Sequence, residues 1–149
     1  MSKLILSNKY NPLFNSDARY FIITGGRGSG KSFAVTVFLT LLTMSKNIRV
    51  LFTRFTMVSA HLSIIPEFLE KISLLGFENI FSVNKAEVLN LGNKSDILFR
   101  GIKTSAGNQT ASLKSLQGIS TWVLDEAEEL IDEDIFDTID LSIREKGIQ

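Results

Sequence analysis

The chain has no cysteine and only one histidine among its 149 residues. Disulfides and thiolate metal sites are thereby excluded, and zinc has no ligand set to draw on. Cytosolic chemistry is the default expectation. Charge of one sign is also lacking: 16 Lys and Arg offset 16 Asp and Glu. No global basic field therefore advertises nucleic acid, and any DNA contact needs local patches. Long apolar runs are missing too. Phe33 to Met44 is the strongest, too short to span a bilayer. Lys3, followed by three apolar residues, makes no signal peptide. What remains is a globular balance, 44% hydrophobic and 21% charged. It suits a single domain, residues 1–149, large enough to bury a core.

The sharpest positive feature is GGRGSGKS, Gly25 to Ser32. It fits the phosphate-binding pattern Gly25-x-x-x-x-Gly30-Lys31-Ser32. An apolar run, Tyr20-Phe21-Ile22-Ile23, precedes it, and a helix-like run, Phe33 to Met44, follows; the motif needs that strand–loop–helix setting. Glycines let the chain curl so that successive N–H groups point inward as an anion nest. A helix starting near Lys31 adds its positive end. Lys31 then reaches terminal phosphates, and the Ser32 hydroxyl ligates Mg²⁺. The plainer alternative is a Gly-rich turn ahead of a helix.

The rest of the chain alternates strand and helix patterns. Strands are expected over Arg19–Thr24, Ile48–Thr53, Ile80–Val83, Glu87–Leu91, Asp96–Arg100 and Thr121–Leu124. Helices are expected from Lys31 to Ser45 and from Thr56 to Leu75, the second with apolar residues at Leu62, Ile65, Leu69 and Ile72, a kink or break at Pro66 and a C-cap at Gly76. Gly92-Asn93 reads as a hairpin turn. Thr104 to Ser112 reads as a mobile polar loop, and residues 126–145 as one or two acidic helices. The pattern argues for an α/β layered fold with a mostly parallel sheet.

Thr121-Trp122-Val123-Leu124-Asp125-Glu126 is an apolar strand ending in two acids, the form of a Walker B strand. It would carry Asp125 to the C-terminal edge of the sheet to hold Mg²⁺ through water. Glu126 would polarise a water for attack on a γ-phosphate. Alternatively, both acids merely favour the start of the following helix. Asn93-Lys94-Ser95-Asp96 matches a guanine-reading tetrapeptide. No Asp-x-x-Gly accompanies it, so a turn is the better reading. Arg27, inside the loop, stands where phosphate charge develops; otherwise it is a solvated loop-tip residue. Arg54 and Arg144 are candidates for an arginine offered to a neighbouring subunit. His61 reads as a helix-surface residue and Trp122 as core.

Together these segments resemble the ATPase domain of the large subunit of tailed-phage terminases. Asn11-Pro12-Leu13-Phe14 with Arg19-Tyr20 is similar to that family's adenine-contacting segment. Gly25-Gly26-Arg27-Gly28-Ser29-Gly30-Lys31-Ser32 resembles its variant Walker A. Residues 99–103 and 113–119 resemble the stretch leading into Walker B, and Val123 to Glu128 resembles Walker B with its catalytic glutamate. The resemblance implies a P-loop NTPase fold of RecA-like, additional-strand type: a three-layer sandwich with a β-hairpin insertion. It implies ATP and Mg²⁺ as cofactors. It implies a homo-oligomeric ring at a portal protein, a small-subunit partner, and translocation of double-stranded DNA into a capsid. Glu126, Arg27 and Lys31 take the catalytic roles. Residues 25–32 with Asn11, Arg19 and Tyr20 bind nucleotide, and Ser32 and Asp125 serve the metal.

That family continues past Walker B with a coupling strand and a nuclease domain, while this sequence ends at Gln149. The strand between the P-loop strand and the Walker B strand is then absent, and the expectation is a partial domain with a gap in its sheet. Two other readings stand beside the packaging motor. One is a different P-loop ATPase motor; the other is a non-catalytic terminase fragment that binds nucleotide or partner subunits.

Overall fold

The computed structural model describes residues 4–58, 60–104, 107–108, 112–113 and 115–143. A short helix α1 (Pro12–Asn15) opens the chain, and α2 (Lys31–Ser45) follows the glycine-rich loop. Next come β1 (Arg49–Arg54) and α3 (Ala60–Leu74). Strands β2 (Phe81–Val83), β3 (Glu87–Asn90) and β4 (Asp96–Gly101) follow. Two-residue strands β5 (Lys103–Thr104) and β6 (Gly107–Asn108) form a separate hairpin. The last elements are β7 (Ile119–Leu124) and α4 (Glu133–Ser142).

The main sheet has the order β2-β3-β4-β1-β7. Strand β1 lies between β4 and β7 and is parallel to both. Only β3 opposes the common direction, through antiparallel pairing with β2 and β4. The β3–β4 hairpin turns at the expected Gly92-Asn93. There the Asn90 side chain accepts from both turn N–H groups, and Lys94 takes a positive φ.

The sheet has helices on both faces because its strands alternate. Val50, Phe52, Ile97 and Phe99 face one way, joining Leu39 of α2 and Ile64, Ile65, Phe68 and Ile72 of α3. Leu51, Leu98 and Ile119 face the other way, joining Ile135 and Ile139 of α4. With both faces covered, β1 is buried from Val50 to Thr53, as a central parallel strand should be. The result is three layers.

Local chemistry explains the helix limits. Gly30 starts α2 at φ 79, a conformation that suits glycine. Thr40 and Thr43, buried within α2, bond back to the carbonyls of Thr36 and Thr40. At the end of α3, Phe77 N–H donates to Ile72 and Gly76 N–H to Ser73, with Gly76 at φ 74: a Schellman cap, as expected for Gly76.

Two expectations are corrected. Helix α3 runs through Pro66 without a break. Pro66 is on the exposed face, where water can serve the carbonyl it orphans. Its inward stripe includes Ile64 and Phe68, while Leu62 is 74% exposed and Leu69 half-exposed. The expected strand over Arg19–Thr24 is not a strand. Strand β7 is the sheet edge, and among the described residues nothing pairs with its outer side. Residues 19–24 therefore lack a ladder; Ile22 is 91% exposed. His61 lies in α3 but its side chain is outside the described set, and Arg144 is outside the described residues.

Candidate functional site

The last turn of α2 is tied to the β3–β4 turn. Thr43 O accepts from the side chains of Asn90 and Asn93, and Ser95 Oγ bonds Lys46 O and Ile48 N. That turn lies at the N-terminal ends of β4 and β1, where Arg49 is opposite Asp96. Asp96 itself accepts from Arg49 Nε at 3.0 Å. The Asn93–Asp96 tetrapeptide is thus a strut between helix and sheet. A 15-residue helix extends ~22 Å, about the length of a six-residue strand. Running back over the sheet, α2 directs its first turn, and the loop before it, toward the end of the sheet opposite the β3–β4 turn.

The loop is built on glycines at positive φ: Gly25 at 149, Gly28 at 73 and Gly30 at 79. A Cβ on Gly25 would come 2.9 Å from Ser29 Oγ, so the loop closes tightly there. Ser29 N–H donates to Gly26 O at 3.3 Å, and the Ser29 carbonyl accepts from Lys9 Nζ at 2.7 Å and Tyr10 OH at 2.9 Å. Lys31 folds back: its ammonium donates to Gly25 O, Gly26 O and Ser29 Oγ. Among the described residues no side chain caps α2, so its first N–H groups remain available to an anion. Ser32 and Arg27 are exposed, and neither makes a side-chain hydrogen bond or ion pair among the described residues.

The acids are held differently. Strand pairing places Thr53 beside Leu124, and Asp125 N–H donates to Thr53 O at 2.9 Å. Thr53 Oγ also accepts from Trp122 Nε1 at 2.8 Å, while the Trp122 ring packs 5.1 Å from Phe136. One residue on, Arg54 bonds Asp125 Oδ2 through Nε at 2.8 Å and Nη2 at 2.7 Å; Nη2 lies 3.5 Å from Glu126 Oε1. Glu126 adopts φ 53, uncommon for a residue with a side chain. It opens the 3-10 turn Ala127–Glu129. Arg54, weighed in the sequence as an arginine for a neighbour, is engaged within its own chain. Parallel pairing of these two strand ends puts Arg54 beside Asp125.

The other predicted residues fall into two places. Asn11 is exposed, and its carbonyl closes the first turn of α1. Beside it lies a groove of about 290 Å³ lined by Lys9, Tyr10, Pro12, Leu13 and residues 21–24. Arg19 and Tyr20 instead both reach Asp140 of α4, at 3.2 and 2.9 Å. The sequence reading missed Lys9, Tyr10 and Asp140, which carry no motif.

These residues suit a polyphosphate with a hard cation. The loop offers N–H groups and an ammonium, Ser32 offers a hydroxyl, and Asp125 keeps Oδ1 without a partner among the described residues. Among those residues no cluster of three His, Cys, Asp or Glu could cage a metal. A cation here would share one carboxylate and a hydroxyl with phosphate oxygens, the usual manner of Mg²⁺.

The layered, mostly parallel sheet with helices on both faces defines the class of the fold as three-layer α/β. A family model for the phage terminase large subunit matches residues 17–149, and the chain belongs to that family. The solved large terminase of a thermophilic bacteriophage is similar in fold, with a TM-score of 0.74 at 13% identity over 97% of this chain. The mostly parallel sheet is thus the RecA-like fold of terminase ATPase domains. The match covers 37% of that chain. Among curated proteins no sequence matches at a significant level. No helix among the described residues is long and apolar enough to cross a membrane.

Proposed function

We propose that this chain is the ATP-binding and ATP-hydrolysing module of a phage DNA-packaging motor. What supports the reading is the run of α2 back from the β3–β4 turn, which directs a glycine loop with Lys31 and Ser32 toward the end of the sheet at which β7 leads into Asp125 and Glu126. The N–H groups at the start of α2 and the Lys31 ammonium bind phosphate oxygens, Lys31 exchanging loop carbonyls for phosphate. Ser32 and Asp125 would hold Mg²⁺, whose charge would offset that of the phosphates. Glu126, at the strand end, accepts the proton of the attacking water. Arg27, extended at the loop tip, is placed to stabilise γ-phosphate charge. The groove beside Tyr10 and Pro12 suits the nucleoside, with Asn11 at its rim. Arg19 and Tyr20 precede the lining residues 21–24 and are anchored on Asp140 of α4, from where they would steady that wall.

Phosphoryl transfer is catalysed mainly by positioning and charge, and arginines from a neighbour are commonly worth 10³–10⁵ in turnover. A homo-oligomeric ring at a portal protein, with a small subunit and double-stranded DNA as partners in a host cytoplasm, fits that demand. The specific ATPase rate should therefore rise with protein concentration or added portal; a flat specific rate counts against ring activation.

The test is ATP turnover and binding by the wild type and Glu126→Gln. The expected result is turnover lost with binding kept. Wild-type binding without any turnover favours the non-catalytic alternative, in which the chain holds nucleotide for its partners. That alternative draws support from Lys31 and Arg54, each engaged with groups it must release for catalysis.

A further inference from the structure

We propose that Arg54 is a positioning residue that latches the two acids, and that a divalent cation competes with it for Asp125. The inference rests on the reading of the site given above. Arg54 ends β1, and its side chain is only 16% exposed. Its guanidinium uses two nitrogens on one Asp125 oxygen and leans on Glu126 with Nη2. The third nitrogen, Nη1, points to Ser63 Oγ of α3 at 3.5 Å. One planar fork thus spans both acids and the neighbouring helix, which a lysine's single ammonium could not do.

Glu126 supplies the second observation. Its left-handed backbone is disfavoured for a residue with a Cβ and persists only where the surroundings hold it. The holds are visible: the Arg54 contact on the side chain, and the Glu126 carbonyl accepting from Glu129 N–H at 3.0 Å. Arg54 therefore fixes the carboxylate proposed as the base while occupying the one proposed for the metal.

The two roles conflict electrostatically, since a guanidinium and a divalent cation repel at one carboxylate. A cation on Oδ1 would weaken the Nε and Nη2 bonds to Oδ2. Arg54 keeps its nearness to Glu126, so the base stays oriented while the metal takes Asp125. The acids are latched and neutralised until nucleotide brings its cation, which couples nucleotide binding to α3 through Ser63.

The test is Mn²⁺ titration of the whole chain, followed by electron paramagnetic resonance, without nucleotide. Removing the competing charge in Arg54→Gln should tighten Mn²⁺ binding about tenfold, the scale of a typical coupling between mutually exclusive ligands. Arg54→Lys should stay near wild type, and Asp125→Asn should lose the site. With saturating Mg²⁺ and ATP, Arg54→Gln should lower kcat with little change in KM, and Arg54→Lys should partly restore it. Unchanged Mn²⁺ affinity in Arg54→Gln, with binding lost in Asp125→Asn, overturns the latch and leaves the site reading intact. Wild-type Mn²⁺ binding by Asp125→Asn overturns both. A readout free of variants is the Arg54 Nε–H resonance of the wild type. It should shift when Mg²⁺ and ATPγS are added together, and a resonance that does not move also overturns the latch.

Discussion

The two halves of the site are held in opposite ways. Asp125 and Glu126 are fixed from within the sheet: β7 pairs with β1, Thr53 binds the Asp125 N–H, and Arg54 grips both carboxylates. The phosphate loop has no strand behind it among the described residues. It hangs from α2 and is steadied by Lys9 and Tyr10 on a single carbonyl, while residues 19–24 run largely exposed, with two contacts on Asp140. One half is over-determined by non-local pairing; the other rests on local chain geometry. The catalysis proposed above needs both halves.

Amide hydrogen exchange should expose the contrast most strongly. Val50 to Thr53 should exchange only with global unfolding, and residues 19–24 almost at the rate of free chain. Comparable protection in both would erase the distinction. Lys31→Ala is the next largest effect. Removing a charge-assisted bond to phosphate should cost about 1.5–3 kcal/mol, roughly 10- to 150-fold in ATP affinity by calorimetry, with little change in melting temperature.

How legible each half was follows the same division. The loop, α2 and the cap at Gly76 are written in local residues, and their boundaries could be read directly. The strand over Arg19–Thr24 had the apolar composition of a strand but depends on a partner, and composition does not supply one. In α3, Leu62 and Leu69 fit the helical period as well as Ile64 and Phe68 do; packing of Phe68 against Phe52 and Phe99 decides which face is inward. The acids were recognisable as a motif, whereas Arg54 became meaningful only through the pairing of β1 with β7.

Smaller effects sharpen the contrast. Thr53→Val removes the acceptor for Trp122 Nε1 and should destabilise the fold by about 1–3 kcal/mol in denaturant titration, with the loop half hardly affected. Tyr10→Phe removes one of two donors to Ser29 O and should cost about 0.5–1.5 kcal/mol. Its signature would be faster exchange at residues 25–30 with β1 unchanged. Equal effects of the two variants on both halves would argue against their independence.

The measurement that bears most directly on a shared site is paramagnetic broadening by Mn²⁺ with ATPγS, read at backbone amides across the chain. A common nucleotide-metal site requires strong broadening at Gly28 to Ser32 and at Asp125 and Glu126 together. Broadening confined to one of those clusters would contradict it.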